Sequence, residues 1–290
     1  MGLVVGLDLG TTRCKAVAVT PAGTVAAAAS ADYALHTPHP GWAEQPAEAV
    51  WRGAVAALQA LQAQAPARQI EGLGLSGAMH SLLPVKADGA PLAPALTWAD
   101  QRAAPQAEAL RRQLGSRAAH ALYTRTGCRL NALYHPAKLR WWREAAPAVW
   151  VQAARFVALK DWVLWRLTGA WLTDEGLAST TGLLDLRRLE WDFEALAAAG
   201  IEASRLPALS PPAVVGGTLL PAAARATGLP AGLPVAPGSS DGGAANLGAG
   251  AVLPGQTVVT VGTSGAVRRL VAEPWLDQRE RTWCYVLAAG

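Results

Sequence analysis

Apolar and polar residues alternate from Leu3 to Leu9, the period of a strand with one buried face. Lys15–Thr20 alternates in the same way, and Pro21-Ala22-Gly23 turns it into a third run, Thr24–Ala28, so the chain opens on a β-meander. Residues 36–46, "HTPHPGWAEQP", read as loop from their Pro and Gly content. The period then changes. Over Ala47–Gln64, Val50, Ala54, Leu58 and Leu61 fall on one helical face. Ile70–Ser76 reads as a buried strand, and Ser81–Val85 as a strand paired across the turn Lys86-Ala87-Asp88-Gly89. Leu96–Trp98 ends in the polar stretch "ADQR".

From Ala104 to Gly200 the pattern is helical, with Gly115 and Gly200 at expected stops and Pro136 at an expected start. Leu159–Leu167 reads as a helix closed by Thr168-Gly169, and Pro221–Thr227 as a short helix capped by Gly228. Residues 206–216 are Pro-rich and extended, and Leu233–Ala236 is a strand leading into "PGSSDGGAANLGAG" at 237–250. Gln256–Val271 repeats the opening hairpin. Strand-rich ends around a helical middle give an α/β fold class.

The two hairpins align on their turns: Asp8-Leu9-Gly10-Thr11-Thr12 against Thr260-Val261-Gly262-Thr263-Ser264. In each, Gly lets the backbone approach an anion, tight-turn amides form an anion-binding concavity, and two hydroxyls add donors without charge. Each hairpin can hold one phosphate group. Only the first carries a carboxylate, Asp8, which suits a Mg²⁺ ion held by few protein ligands, directly or through water. The pair therefore has the makings of an ATP–Mg²⁺ clamp. Gly72-x-Gly74-x-x-Gly77 satisfies the dinucleotide pattern, but its glycines lie inside a strand and another strand pattern follows. No Walker A pattern occurs. Asp241 opens the glycine-rich segment Gly242–Gly248. There it has two readings: a helix N-cap, or a base that takes the proton of an attacking hydroxyl.

Composition removes several classes. The net charge of +4 is spread over scattered basic residues without interleaved aromatics, so the expectation is a chain that binds no nucleic acid. Cys14, Cys128 and Cys284 lack metal-ligand spacing and suit a reducing cytoplasm. Neither a basic-led apolar leader nor a membrane-length apolar run is present, so no membrane role is expected.

Nine stretches resemble the FGGY carbohydrate kinases of the actin-like, RNase H-like ATPase superfamily. They are "GLDLGTTRCKAVAV", "GWAEQPAEAVW", "GLSGAMHSLLPV", "TWADQRA", "HPAKLRWW", "LKDWVLWRLTG", "ASTTGLLDL", "GSSDGGAANLGAG" and "TVGTSGAVRRL", in family order. Gluconate kinases are the most similar and xylulose kinases come next. The resemblance implies a complete N-terminal domain over residues 1–240 and a truncated second domain beginning at 241–290, with the adenine contacts in the part that would follow. It implies ATP-dependent phosphorylation of a sugar or sugar acid, gluconate first and a ketopentose second, with Asp241 as general base. Asp8 would attend Mg²⁺. Thr11 and Thr12 would bind ATP phosphates, as would Gly262, Thr263 and Ser264. Met79 and His80 would line the sugar pocket, and Asp100 and Arg102 would also face the sugar. A gluconate carboxylate would want a forked donor, Arg102 first and Lys138 second. A homodimer is compatible with this reading. The competing expectation is a sugar-binding module without catalysis.

Overall fold

The computed structural model describes residues 2–261 and 265–287. Along the chain come β1 (Leu3–Leu9), β2 (Arg13–Val19), β3 (Val25–Asp32), α1 (Ala47–Gln62) and β4 (Ile70–Gly77). The helical middle contains α2 (Ala104–Thr126), α3 (His135–Ala145), α4 (Leu159–Thr168) and α5 (Glu175–Ser179). After it come β5 (Gly217–Thr218), α6 (Pro221–Thr227), β6 (Pro234–Ser240), α7 (Asp241–Gly248), β7 (Thr257–Val261) and β8 (Gly265–Arg269).

Six strands form one sheet in the order β5-β6-β4-β1-β2-β3. The meander supplies the antiparallel side, while β1, β4 and β6 run parallel. Alternation sets the faces. Leu3, Val5, Leu7 and Leu9 are buried and join Val50, Ala54, Leu58 and Leu61 of α1 in the main core, together with Trp162, Val163, Leu164 and Leu167 of α4. The other face carries Gly6 opposite Gly74 and Asp8 opposite Ser76. A Cβ at Gly6 or Gly74 would meet no neighbour, so Gly74 of the dinucleotide-like pattern is part of a bare sheet face. A second core lies among the helices, around Leu110, Leu122, Leu139, Trp142, Phe156 and Leu196.

Most expected elements form. β2 begins at Arg13, β3 runs on to Asp32, and α1 stops at Gln62. Gly169, Gly200 and Gly228 end their helices in the left-handed conformation that glycine adopts without strain. Gly115 differs from expectation in form. It sits at φ 71° and ψ 164° between two helical runs that abut, so it breaks the helix without a loop. The pairing of Ser81–Val85 also differs. Leu82 and Val85 do bridge back across the Lys86–Gly89 turn, to Leu96 and Pro91, but the continuous ladder of Leu83–Val85 is made with Arg155–Val157. That partner is distant in sequence, and an alternating apolar run does not say which strand will cover it.

The closing hairpin forms as β7 and β8, paired from Thr257↔Arg269 to Val261↔Gly265. It stands as a two-stranded sheet, whereas its opening counterpart is built into the main sheet. From Asp277 to Val286 the chain returns across the helical region. Tyr123 Oη donates to the Thr282 carbonyl (3.0 Å), and the Val286 amide donates to Ser179 Oγ (2.9 Å).

Candidate active site

Three parallel strands end level with one another. Leu9 is in register with Gly77, and Gly77 with Ser240. The chain leaves these ends as Gly10–Thr12, Ala78–His80 and Asp241. The carboxyl ends of parallel strands are where an open α/β sheet forms a crevice.

The first hairpin is tightly tied. The Gly10 amide donates to the Arg13 carbonyl (3.0 Å), and Tyr33 Oη donates to the Gly10 carbonyl (2.6 Å). A side chain at Gly10 would stand 2.9 Å from the Arg13 carbonyl, so only glycine fits. The amides of Thr11 and Thr12 find no acceptor among the described residues. Thr11 Oγ1 accepts from Trp98 Nε1 (2.9 Å), so its hydroxyl is already oriented by an indole. Trp98 also walls a cleft of about 460 Å³ with Ala99, Gln101, Asn131, Ala132 and Leu133.

Asp8 lies on the open face and is one-third exposed. Its Oδ1 accepts from Ser76 Oγ (3.0 Å), and Lys15 Nζ stands 3.9 Å from Oδ2. Asp241 occupies the first turn of α7. It is not the N-cap, because Ser240 takes that place with Oγ accepting from the Gly243 amide (3.2 Å). Asp241 Oδ1 accepts from the Gly242 amide (2.7 Å). Burial pushes the Asp241 carboxyl above the usual carboxylate range, and the charge of Asp8 adds to the shift. The Gly242 amide, Arg268 and the Met79 amide pull it back. Two carboxylates that repel each other at one crevice suit a divalent cation, and Mg²⁺ needs only one or two protein carboxylates beside phosphate oxygens. Among the described residues no group of three or more His, Cys, Asp or Glu side chains has metal-ligand geometry.

Met79 and His80 follow β4. Met79 Cε reaches to 3.2 Å from where a Gly242 Cβ would be, so the missing side chain makes its room. His80 is buried and holds a left-handed φ of 65°. Its Nδ1 is 2.8 Å from the Thr180 carbonyl, and its ring meets Tyr134 edge-on at 5.3 Å. Tyr134 and Tyr285 share a hydroxyl hydrogen bond of 2.8 Å. Burial, aided by the Lys138 charge, drives the His80 imidazole down to about 3. It is therefore neutral near pH 7, donates from Nδ1 to Thr180, and keeps Nε2 as an acceptor.

The neutral state has a measurable cost. Burial also holds His135 well below the usual imidazole value. Between the folded and unfolded pKa values the unfolded chain binds the proton and the folded chain does not, so stability falls as pH drops below about 6.5. Each histidine is expected to remove about 2 kcal/mol between pH 6.5 and 5, read as a lower urea midpoint. His135→Gln should flatten that pH profile. A profile as steep as the parent's would contradict this account.

The side chains of Asp100, Arg102 and Lys138 are buried among protein partners. Asp100 is fully buried, and its Oδ2 accepts from the Ala43 amide (2.7 Å). The Arg102 side chain is 3% exposed, pairs with Asp100 (2.8 Å) and Glu44 (2.7 Å), and lies 3.6 Å over the Trp42 ring. Its Nε and Nη2 are thus engaged by protein carboxylates. Lys138 is also fully buried, with Nζ donating to the carbonyls of His80 (2.6 Å) and Thr97 (2.8 Å). Burial pulls its ammonium down to about 7, against the pull of Asp100. These residues brace the pocket loops from behind.

Sequence reasoning missed three residues. Ser76 orients Asp8, and its position one register opposite was the available signal. Lys160 is buried beneath Gly77, donates to the Pro237 carbonyl (2.8 Å) and pairs with Asp174 (2.9 Å) and Asp161 (3.2 Å). Burial presses the Lys160 ammonium down, but the two carboxylates outweigh it and the net shift is upward. It thereby anchors the bent end of β6 just before Asp241. Arg268, on β8, comes to the Asp241 side of α7. Gly262, Thr263 and Ser264 lie outside the described residues.

The sheet order and the crevice at its parallel strand ends define a mixed α/β domain of the actin-like ATPase fold. The description "FGGY family of carbohydrate kinases, N-terminal domain" matches residues 3–248, and the chain belongs to that family. Gluconokinase of Bacillus subtilis is 33% identical over 284 residues, covering 98% of this chain and 55% of that protein. Xylulose kinase of Klebsiella pneumoniae is 32% identical over 278 residues, covering 96% of this chain and 56% of that protein. The crystal structure of gluconate kinase from Lactobacillus acidophilus superposes with a TM-score of 0.93 at 28% identity, covering 99% of this chain and 57% of that one. The chain thus spans about half the length of these relatives. Among the described residues no helix is long and apolar enough to cross a membrane.

Proposed function

We propose that the chain forms the sugar-binding and phosphate-binding part of an ATP-dependent carbohydrate kinase, with gluconate as the preferred acceptor and xylulose next. The observation that carries this reading is the level ending of β1, β4 and β6, which gathers the Asp8 hairpin, Met79–His80 and Asp241 at one crevice. Residues 1–240 serve as the first domain and 241–290 as the beginning of the second. Support for the acceptor class comes from the relatives, gluconokinases and then xylulose kinases.

In this mechanism Met79 and His80 hold the acceptor, with His80 Nε2 accepting from a substrate hydroxyl. Asp241 takes the proton of the attacking hydroxyl. The freed oxygen bonds to the γ-phosphorus of ATP as the bond to the bridging β,γ-oxygen breaks, and ADP leaves with the electron pair. The Gly10–Thr12 turn, with its free amides, binds phosphate oxygens, a role shared with Gly262, Thr263 and Ser264. Asp8 would hold Mg²⁺, which supplies charge neutralisation for the phosphates when bound. Raised by its buried setting, the Asp241 carboxylate is a better proton acceptor than a solvated one.

The test is ADP release by the full-length enzyme, in a coupled assay, with gluconate, xylulose and glycerol as acceptors and Mg²⁺ present. The expected order is gluconate, then xylulose, with glycerol weakest. ADP release that is the same with and without acceptor would refute the kinase reading, and xylulose leading gluconate would refute the substrate order.

A further inference from the structure

With Arg102 and Lys138 committed to protein acceptors, another cation must meet an anionic acceptor. We propose that Arg268 determines substrate specificity by receiving the carboxylate of an aldonate. This rests on the kinase reading above and assigns its substrate class to one side chain.

The geometry is as follows. A Cβ built at Gly242 would lie 3.2 Å from Arg268 Nε, 3.6 Å from Arg268 Cζ and 3.2 Å from Met79 Cε. The guanidinium and the Met79 methyl therefore converge over Gly242, the residue after Asp241. That is one space, bounded by the proposed base, a pocket residue and an arginine. Glycine at 242 lets them come together.

Arg268 is half-buried, and its one hydrogen bond among the described residues runs from Nη1 to the neutral Thr260 Oγ1 (3.2 Å). No carboxylate lies within ion-pair distance of it among the described residues. By contrast, Arg102 is held by two carboxylates. A guanidinium with only a hydroxyl partner keeps a fork free for a planar oxyanion.

Its place along the hairpin separates it from the phosphate turn. Arg268 pairs with Val258, three register positions behind the closing pair Val261↔Gly265. At strand rise this is about 10 Å from that closing pair. A group reaching Arg268 approaches from the Asp241 and Met79 side. A neutral sugar would leave the guanidinium facing Asp241, where its charge lowers the carboxylate's basicity. A substrate carboxylate takes the fork and leaves Asp241 free to accept the hydroxyl proton.

The experiment is calorimetric titration of this chain with gluconate, xylulose and tripolyphosphate, in the parent, Arg268→Gln and Arg268→Lys. Arg268→Gln is expected to weaken gluconate by about 10- to 100-fold, the range for a charge-assisted hydrogen-bonded pair, and to leave xylulose unchanged. Arg268→Lys should recover part of the loss. The proposal is overturned by unchanged gluconate affinity, by equal loss for both sugars, or by loss for tripolyphosphate with gluconate spared. A parent chain that binds neither sugar refutes the kinase reading itself, and this inference with it. A parent that binds gluconate while Arg268→Gln binds it equally well removes the inference alone.

Discussion

In the full-length enzyme, Asp241→Asn is expected to lower kcat for sugar phosphorylation by about 10²- to 10⁴-fold, the usual worth of a positioned general base. Sugar affinity should change little. Ser240 caps α7, so Asp241 is released from capping and sits in the first helical turn with one oxygen on the Gly242 amide. The amide side chain of asparagine has the same shape and can keep that contact, so the fold around the crevice should survive. What it lacks is basicity. A KM within a few-fold of the parent alongside a collapsed kcat would mark an interaction made in the transition state. Near-parent turnover would remove Asp241 from the chemistry.

The second large effect falls on Gly238. It holds φ 75°, and a Cβ there would stand 1.6 Å from the Leu75 carbonyl oxygen and 2.6 Å from its carbon. These are backbone atoms of β4, fixed by its pairing with β1, and cannot step aside. The register of β6 against β4 shifts between Ala236 and Ser239, so this close approach is the bend itself. Gly238→Ala is expected to destabilise the chain by at least about 3 kcal/mol, through overlap added to left-handed strain. Gly232→Ala is the control. Its φ is 80°, but a Cβ there meets nothing, so it carries only the left-handed cost of about 1 kcal/mol. Urea midpoints measure both. Equal losses in the two variants would show that the overlap relaxes at no cost.

Local signals were the legible part of this fold. The meander, the amphipathic α1, the Gly-ended helices and the short Pro221–Thr227 helix follow from period and capping within a few residues. The long-range part was not legible. Val85 bridges to Pro91 across its own turn, but nothing in its apolar run foretells the second partner, Arg155–Val157, that packing adds. The same holds for the site. Asp8 and Asp241 each stand beside glycine turns at strand ends, which is a local signature. Arg102 and Lys138 carry charges that look available in a sequence, because nothing local reveals that Asp100, Glu44 and two carbonyls will enclose them. Lys160 had no signal at all. Its partner Asp174 is 14 positions away and Pro237 is 77 away, and only the folded sheet brings them together.

The buried trio Arg102, Lys138 and Lys160 also bears on attempts to retarget the pocket. Charge-swap libraries built on basic residues near the motifs would sample these three first and recover mostly misfolded clones. Diversity is better spent on Met79 and Arg268, which are only half-buried and whose side chains meet over Gly242 without a carboxylate partner among the described residues.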